Sequence, residues 1–306
     1  MHAHSHSHDH DHTHGPDDFS SVNTSFLIAV AANLGFTIIE AIYGVLANSV
    51  SLLADAGHNL SDVLGLLLAW GAAYLAGRAS SSAYSYGFRK STILAAVINA
   101  VVLVLAAGFI AWESIEKFVT PAPIAATAVM VVATIGIGVN AGTALLFMKG
   151  SKHDLNLRGV FLHLAYDAAI SAGVVVAAAL VLFTGWVWID PVMGLLIVAV
   201  ILLGTWGLLR DSVNLIIDAV PQEIDLDEVR DFLGEIDGVV NVHDLHIWAM
   251  STRENGLTAH LVMPENTLWD NDDGYASICE ALERRFNIHH ATLQVEKDTS
   301  CAIDCD

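Results

Sequence analysis

The sequence predicts a bundle of six membrane-spanning α-helices followed by a small α+β domain. Of its 306 residues, 54% are hydrophobic and 15% are charged, whereas an ordinary soluble domain has about 25% charged residues. The charges are uneven, because the segment from Ala219 to the end holds 19 of the 33 acidic residues and 5 of the 13 basic ones. An apolar membrane part is therefore followed by an acidic soluble part.

Six apolar stretches are long enough to cross a bilayer, which takes about 20 helical residues. They are Thr24–Leu46, Leu52–Ala76, Thr92–Glu116, Ile124–Met148, Gly159–Thr184 and Trp188–Leu209. Loops rich in Lys and Arg stay on the cytoplasmic side. The loops after the second, fourth and sixth stretches hold seven basic residues, and the opposite loops hold one. Both termini are therefore expected in the cytoplasm.

The segment after Pro221 alternates between helical and strand patterns. Its expected order is α-β-β-α-β, with elements at Asp227–Ile236, Val239–Ala249, Leu257–Met263, Asp272–Phe286 and Thr292–Val295. Two helices on one face of a small sheet would form a ferredoxin-like domain. We therefore expect four parts: a His-rich segment 1–20, the membrane domain 21–218, the cytoplasmic domain 219–298 and a Cys-containing tail 299–306.

Two predicted spans carry the same pair of ionisable residues. His58 and Asp62 lie four residues apart in the second span, and His163 and Asp167 repeat the spacing in the fifth. Residues four apart share one face of a helix, and ionisable residues within a span mark functional sites. Two imidazoles and two carboxylates form a ligand set suited to Zn²⁺. The alternative is that each pair is a local hydrogen bond within the bundle.

This ligand set also suggests exchange with protons. Metal binding requires neutral His and ionised Asp, so a bound metal displaces protons. An unperturbed His has a pKa of about 6.5, which places this exchange near physiological pH. The sequence therefore favours an antiporter. Asp55, in the second span, is a poorer candidate for a metal ligand. Glu40, in the first span, is expected to make a polar contact inside the bundle.

Further possible metal ligands lie in the soluble segments. Five histidines occupy or flank expected strands: His243, His246, His260, His289 and His290. Cys301 and Cys305 add a closely spaced thiol pair, which in a reducing compartment favours metal binding over a disulfide. The first fourteen residues hold seven of the fifteen histidines, a composition that binds metal loosely. The acidic net charge argues against nucleic acid as a partner.

The chain resembles the cation diffusion facilitator family of zinc transporters along nearly its whole length. The resemblance is carried by Ser51–His58 with Asp62, by His163 with Asp167, by Val242–Trp248 and by His289–Glu296. It implies a zinc/proton antiporter of the bacterial inner membrane, built as a homodimer with metallochaperone-like cytoplasmic domains that bind Zn²⁺ between protomers.

The resemblance also implies roles for individual residues. By position, the ligands of the cytoplasmic domain would be His243, His260, His289 and Glu296, with Cys301 and Cys305 as ligands from the tail. His246 looks more like part of the strand signature. Lys90 and Asp218 match a pair that holds the dimer near the membrane in relatives.

Two other functions compete with transport. An intramembrane zinc metalloenzyme would keep an open metal position for water, whereas four ligands on two helices leave none, and the sequence has no HExxH motif. A membrane metal sensor would need an output domain, and the sequence shows none. We therefore expect a transporter and no enzymatic activity.

Overall fold

The computed structural model describes residues 16–148, 155–264 and 272–297. Six long helices come first: α1 Pro16–Leu46, α2 Val50–Ala76, α3 Ser91–Val119, α4 Ala126–Phe147, α5 Leu155–Thr184 and α6 Ile189–Ile216. Helices α2 to α6 are long and apolar enough to cross a membrane, and α1 contributes a shorter apolar stretch among the described residues. The expected helical membrane part is therefore confirmed. The largest differences in bounds are at the start of α1, which begins before the predicted Thr24, and at the end of α6, which continues past the predicted Leu209.

The turn between α1 and α2 shows how the chain reverses within three residues. Asn48 adopts the left-handed conformation, with φ 56°, which Asn tolerates better than most residues. The amide of Ala47 donates to Tyr43 O at 2.7 Å, and that of Ser49 donates to Gly44 O at 2.9 Å. These bonds satisfy carbonyls at the end of α1, so α2 starts directly beside it.

The described chain forms two compact units. The first comprises the described residues up to Val63 together with Ile110–Ile197. Within it α4 packs along α5 and also contacts α1. Gly136 of α4 allows the close approach of α1, because a Cβ there would lie 2.7 Å from the ring of Phe36. The boundary between the two units cuts through α2, α3 and α6, so the four-part division expected from the sequence stays a prediction.

The second unit comprises Leu64–Phe109 and the chain from Val198 onward. Its C-terminal part contains α7 Leu226–Gly234, β1 Asn241–Ala249, β2 Asn255–Val262, α8 Asp272–Phe286 and β3 Ile288–Glu296. β2 lies in the centre of the sheet, antiparallel to β1 and parallel to β3. The expected small domain with a three-stranded sheet is confirmed, and β3 starts four residues before the predicted strand.

A hydrophobic core lies between this sheet and its two helices. It includes Val229 and Leu233 of α7, Leu257 and Leu261 of β2, and Leu282 of α8, all with no exposed surface. A β-bulge interrupts the pairing of β1 and β2 between positions 243 and 246. Such a bulge redirects side chains, and it becomes important for the histidines described below.

Two ion pairs of the second unit link the loop after α2 to later segments. Lys90 Nζ lies 2.7 Å from Asp218 Oδ1, which is the pair expected from the family resemblance. Arg89 Nη1 lies 2.8 Å from Glu254 Oε2, in the turn between β1 and β2. The amide of Thr252 in the same turn donates to Thr92 Oγ1 at 3.1 Å.

Candidate metal centre

Helix α2 carries half of the candidate centre, and a carboxylate from α6 fixes its N-terminal end. Asp190 is 2% exposed. Its Oδ2 accepts from the amide of Val50 at 2.8 Å, and its Oδ1 accepts from the hydroxyls of Ser49 at 2.6 Å and Ser51 at 2.5 Å. A negative charge at a helix N-terminus is favourable. Sequence reasoning missed this role, although an acidic residue inside an expected apolar span was a visible signal.

The two His-Asp pairs meet between α2 and α5. His58 Nε2 lies 3.2 Å from Asp167 Oδ1 and 3.8 Å from Asp62 Oδ2. His163 Nε2 lies 3.3 Å from Asp62 Oδ2 and 3.6 Å from Asp167 Oδ2. The structure thus brings together all four side chains that the sequence selected.

These separations suit a small tetrahedral ion. With metal–ligand distances of 2.0–2.2 Å, neighbouring ligands of tetrahedral Zn²⁺ are about 3.3–3.6 Å apart. Asp62 Oδ2 is buried and makes no aligned hydrogen bond, although His163 Nε2 is only 3.3 Å away. One ligand atom each of His58, Asp62 and Asp167 lies within 4.8 Å of the others. The residues present therefore fit a divalent cation.

The four candidate ligands differ in their exposure. The side chain of Asp167 is 4% exposed, while that of His163 is 47% exposed. His163 therefore forms the accessible edge of the cluster, and Asp167 forms its buried base.

Two polar side chains close to the cluster bind buried carboxyl groups beside it. Ser171, four residues after Asp167 on α5, donates to Asp55 Oδ2 at 2.8 Å. Asn59, next to His58, donates to Glu40 Oε2 at 3.0 Å. The polar contact expected for Glu40 is thus present. The group whose ligand atoms all lie within 4.8 Å of one another comprises His58, Asp62 and Asp167. Asp55 does not belong to it, and His163 adjoins it through Asp62 and Asp167.

A second cluster of possible metal ligands lies on the three-stranded sheet of the C-terminal part. His243 Nε2 lies 3.2 Å from Glu296 Oε2, and His260 Nδ1 lies 2.9 Å from Glu296 Oε1. The strand register explains this, because His243 pairs with His260 across β1 and β2, and Glu296 pairs with the neighbouring Val262. Asp244, which sequence reasoning did not select, adds a carboxylate oxygen 3.4 Å from His260 Nε2.

The other expected ligands of the cytoplasmic domain lie elsewhere. His289 is at the far end of β3 from Glu296, seven residues or about 23 Å along an extended strand. Its side chain is exposed and its Nδ1 lies 3.0 Å from Asn287 O. Within one protomer, His289 therefore does not reach the cluster. His246 lies 2.9 Å from Asp244 Oδ1. Cys301, Cys305 and the His-rich N-terminal segment lie outside the described residues.

Comparison with known protein families accounts for both parts of the chain. The family model for the cation efflux transmembrane domain matches residues 26–217. The chain belongs to the cation efflux family. A second model, the cytoplasmic domain of cation efflux proteins, matches residues 221–298. The family resemblance drawn from the sequence motifs is thereby confirmed.

Members of the cation efflux family from several bacteria resemble this chain over most of their length. A cadmium, cobalt and zinc/H(+)-K(+) antiporter of Bacillus subtilis is 35% identical, over 89% of this chain and 88% of that one. The zinc transporter ZitB of Escherichia coli is 35% identical over 95% and 92% of the two chains. The metal cation efflux system protein CzcD of Cupriavidus metallidurans is 34% identical over 89% and 86%.

A solved structure of the metal-bound C-terminal domain of the CzcD transporter is 33% identical over 24% of this chain and 99% of that domain. Its TM-score of 0.22 carries no structural argument. Membership of the cation efflux family rests on the sequence matches. It makes the chain a membrane transporter and decides against the metalloenzyme and the sensor.

Proposed function

We propose that this chain exports a divalent cation, with Zn²⁺ as the main substrate, from the cytoplasm in exchange for protons. The observation that carries the proposal is the meeting of four side chains between α2 and α5: His58, Asp62, His163 and Asp167. Relatives bearing the names of zinc, cadmium and cobalt transporters support the same substrate class.

The chemistry of the ligands supplies the coupling. The metal-loaded cluster needs both imidazoles neutral and both carboxylates ionised. At low pH the imidazoles take up protons, which repel a cation and occupy the Nε2 atoms that would bind it. Metal and protons therefore compete for the same atoms. A cluster that faces each side of the membrane in turn exchanges one for the other.

The donor atoms also favour particular metals. Two imidazole nitrogens and two carboxylate oxygens suit Zn²⁺ and neighbouring divalent ions, whereas Cu(I) prefers thiolate and thioether ligands. The separations of 3.2–3.8 Å between nitrogen and oxygen atoms match a small ion. We place Cd²⁺ and Co²⁺ as secondary substrates, consistent with the named specificity of the Bacillus relative.

The proposed topology follows from the charge bias of the loops. Helix α1 would also cross the membrane, which brings the number of spans to six. Both termini would lie in the cytoplasm, and the protein would reside in the bacterial inner membrane. The chain would divide into the N-terminal segment 1–20, the membrane domain 21–218, the cytoplasmic domain 219–298 and the tail 299–306.

The cytoplasmic domain would have a ferredoxin-like, metallochaperone-like fold and would dimerise the protein. Its Zn²⁺ would bind to His243, His260 and Glu296, with Asp244 beside them. His289, Cys301 and Cys305 would serve as ligands at a separate centre or from the partner protomer. Zn²⁺ bound there would stabilise the dimer by mass action.

The decisive experiment is a flux assay with the purified protein in liposomes. Imposing a pH gradient should drive zinc against its concentration gradient, and adding zinc should move protons the opposite way. A protonophore should abolish the movement of zinc against its concentration gradient. Zinc movement that ignores the pH gradient would disprove the exchange.

A further inference from the structure

A pair of buried carboxyl groups lies beside the proposed metal site without contributing ligands to it. Glu40 of α1 and Asp55 of α2 are both 0% exposed, and their side chains are within hydrogen-bonding reach of each other. One oxygen of each is satisfied, because Asn59 donates to Glu40 Oε2 and Ser171 donates to Asp55 Oδ2.

The second oxygen of each carboxyl lacks a donor. Glu40 Oε1 and Asp55 Oδ1 are buried, and no N–H or hydroxyl group of the described residues donates to either. Two ionised carboxylates cannot satisfy each other, because both are acceptors only and their charges repel in a low-dielectric interior. One proton shared by the two carboxyl groups supplies a missing donor and removes one charge.

The Glu40–Asp55 pair and its hydrogen-bond donor Ser171 lie about one helical turn from the proposed metal ligands, along α2 and also along α5. On α2, Asp55 precedes His58 by three residues, and on α5, Ser171 follows Asp167 by four. Residues at these spacings are neighbours on a helix surface. The charged groups that act on Asp55 are Glu40, His58 and Asp167. In the proposed topology, Asp55 lies between the metal ligands and the non-cytoplasmic side.

We infer that Glu40 and Asp55 form a proton-binding site, separate from the metal ligands, that takes up one of the exchanged protons. A cation at the neighbouring ligands adds positive charge about one turn away, or about 5–6 Å, and so favours the ionised pair. The O–H bond between the carboxyls then breaks and the proton leaves to water. When the metal has left, a proton from the non-cytoplasmic side restores the shared hydrogen bond.

The inference rests on the proposed metal–proton exchange and is tested by counting protons. Zinc binding to the full-length protein is measured by calorimetry at constant pH in buffers of different ionisation enthalpy, which gives the protons released per Zn²⁺ bound. Glu40→Gln keeps the side-chain size and offers an amide donor to Asp55 with no exchangeable acid proton. The variant should bind the same number of zinc ions and release about one proton fewer per ion at the membrane site.

Two further variants make the result specific. Asp55→Asn should give the same loss, which keeps the test available if Glu40→Gln does not fold. Glu116→Gln removes an exposed carboxyl of α3, so it should release the wild-type number. Proton release at the cytoplasmic cluster is common to all variants and cancels in the comparison.

The possible outcomes separate the two proposals. If the wild type releases protons and both carboxyl variants release the same number, the Glu40–Asp55 proton site is disproved while the exchange stands. If the wild type binds zinc without releasing protons, the proposed exchange itself fails.

Discussion

His58 lies closer to Asp167, on the neighbouring helix, than to Asp62, one turn away on its own. The distances from Nε2 are 3.2 Å and 3.8 Å. His163 shows the same crossed preference, with 3.3 Å to Asp62 and 3.6 Å to Asp167. Two local hydrogen bonds within separate helices would show the opposite order. The arrangement therefore depends on α2 and α5 together, as a shared metal site requires.

The first prediction follows from this crossed pairing. Asp167→Asn removes a negative charge from the base of the cluster while keeping its shape, so zinc transport should fall by at least about 10-fold, the lower range for disturbing a metal site. Alanine at any one of the four ligand positions should abolish transport. Flux into liposomes measures the loss, and size-exclusion chromatography checks that the protein stays folded. Full transport by both Asp62→Ala and Asp167→Ala would disprove the membrane site.

The second prediction concerns metal selectivity. His58→Asp replaces one imidazole nitrogen with an oxygen, and harder or larger ions favour oxygen ligands. Discrimination for Zn²⁺ over Cd²⁺ and Mn²⁺ should therefore weaken. The measurement is competitive uptake of the three ions by vesicles containing wild type or variant, with exposed His246→Asp as the control. An unchanged ratio would count against His58 as a ligand.

The third prediction concerns the anchor of α2. Asp190→Ala leaves the amide of Val50 and the hydroxyls of Ser49 and Ser51 without their acceptor, at a cost of roughly 1–3 kcal/mol for each buried group left unpaired. The melting temperature should drop and zinc transport should weaken, because α2 then loses its fixed position. Asp190→Asn keeps one acceptor oxygen. Its melting temperature and its zinc transport should therefore lie between those of the wild type and those of Asp190→Ala.

The control for that experiment is Asp237→Ala, which removes an exposed carboxyl before β1. Its melting temperature should match the wild type. A stable, fully active Asp190→Ala protein would show that α2 is positioned by its packing alone.

The fourth prediction concerns the cytoplasmic cluster. Substituting His243 and His260 together by Ala should remove at least one bound zinc per protomer, because both imidazoles face Glu296. Zinc-dependent association of protomers should weaken with it. Calorimetry of the full-length protein counts the ions, and analytical ultracentrifugation follows the association.

His289→Ala is the matched control within one protomer, since His289 lies at the opposite end of β3 from Glu296. We expect it to retain the zinc bound by His243 and His260. A loss as large as that of the double variant would mean that His289 reaches the same ion from a partner protomer.

The sequence could predict what depends on periodicity and spacing. Apolar stretches gave the helices of the membrane part, and the repeated His-x-x-x-Asp spacing selected all four residues that meet between α2 and α5. Alternation gave the order of the elements in the small domain. These signals are local, so each can be read from about 20 consecutive residues.

Contacts between distant segments could not be predicted in this way. Asp190 reaches the start of α2 from about 140 positions away, and Glu40 meets Asp55 only because α1 packs beside α2. Asp244 enters the cytoplasmic cluster through a β-bulge where its own φ is 50°. Strand register, which pairs Val262 with Glu296, also explains why His289 is remote from that cluster although it lies on the same strand.

The contact of the β1–β2 turn with the loop before α3 and with the first turn of α3 limits how this protein can be re-engineered. Arg89 is paired with Glu254, and Thr92 accepts from the amide of Thr252. A chimera that receives only the hairpin of a relative would place a foreign side chain next to Arg89. A chimera that receives only the loop would place a foreign side chain next to Glu254. Loop and hairpin should therefore be transplanted together, and natural recombination between relatives should preserve charge complementarity at these two positions.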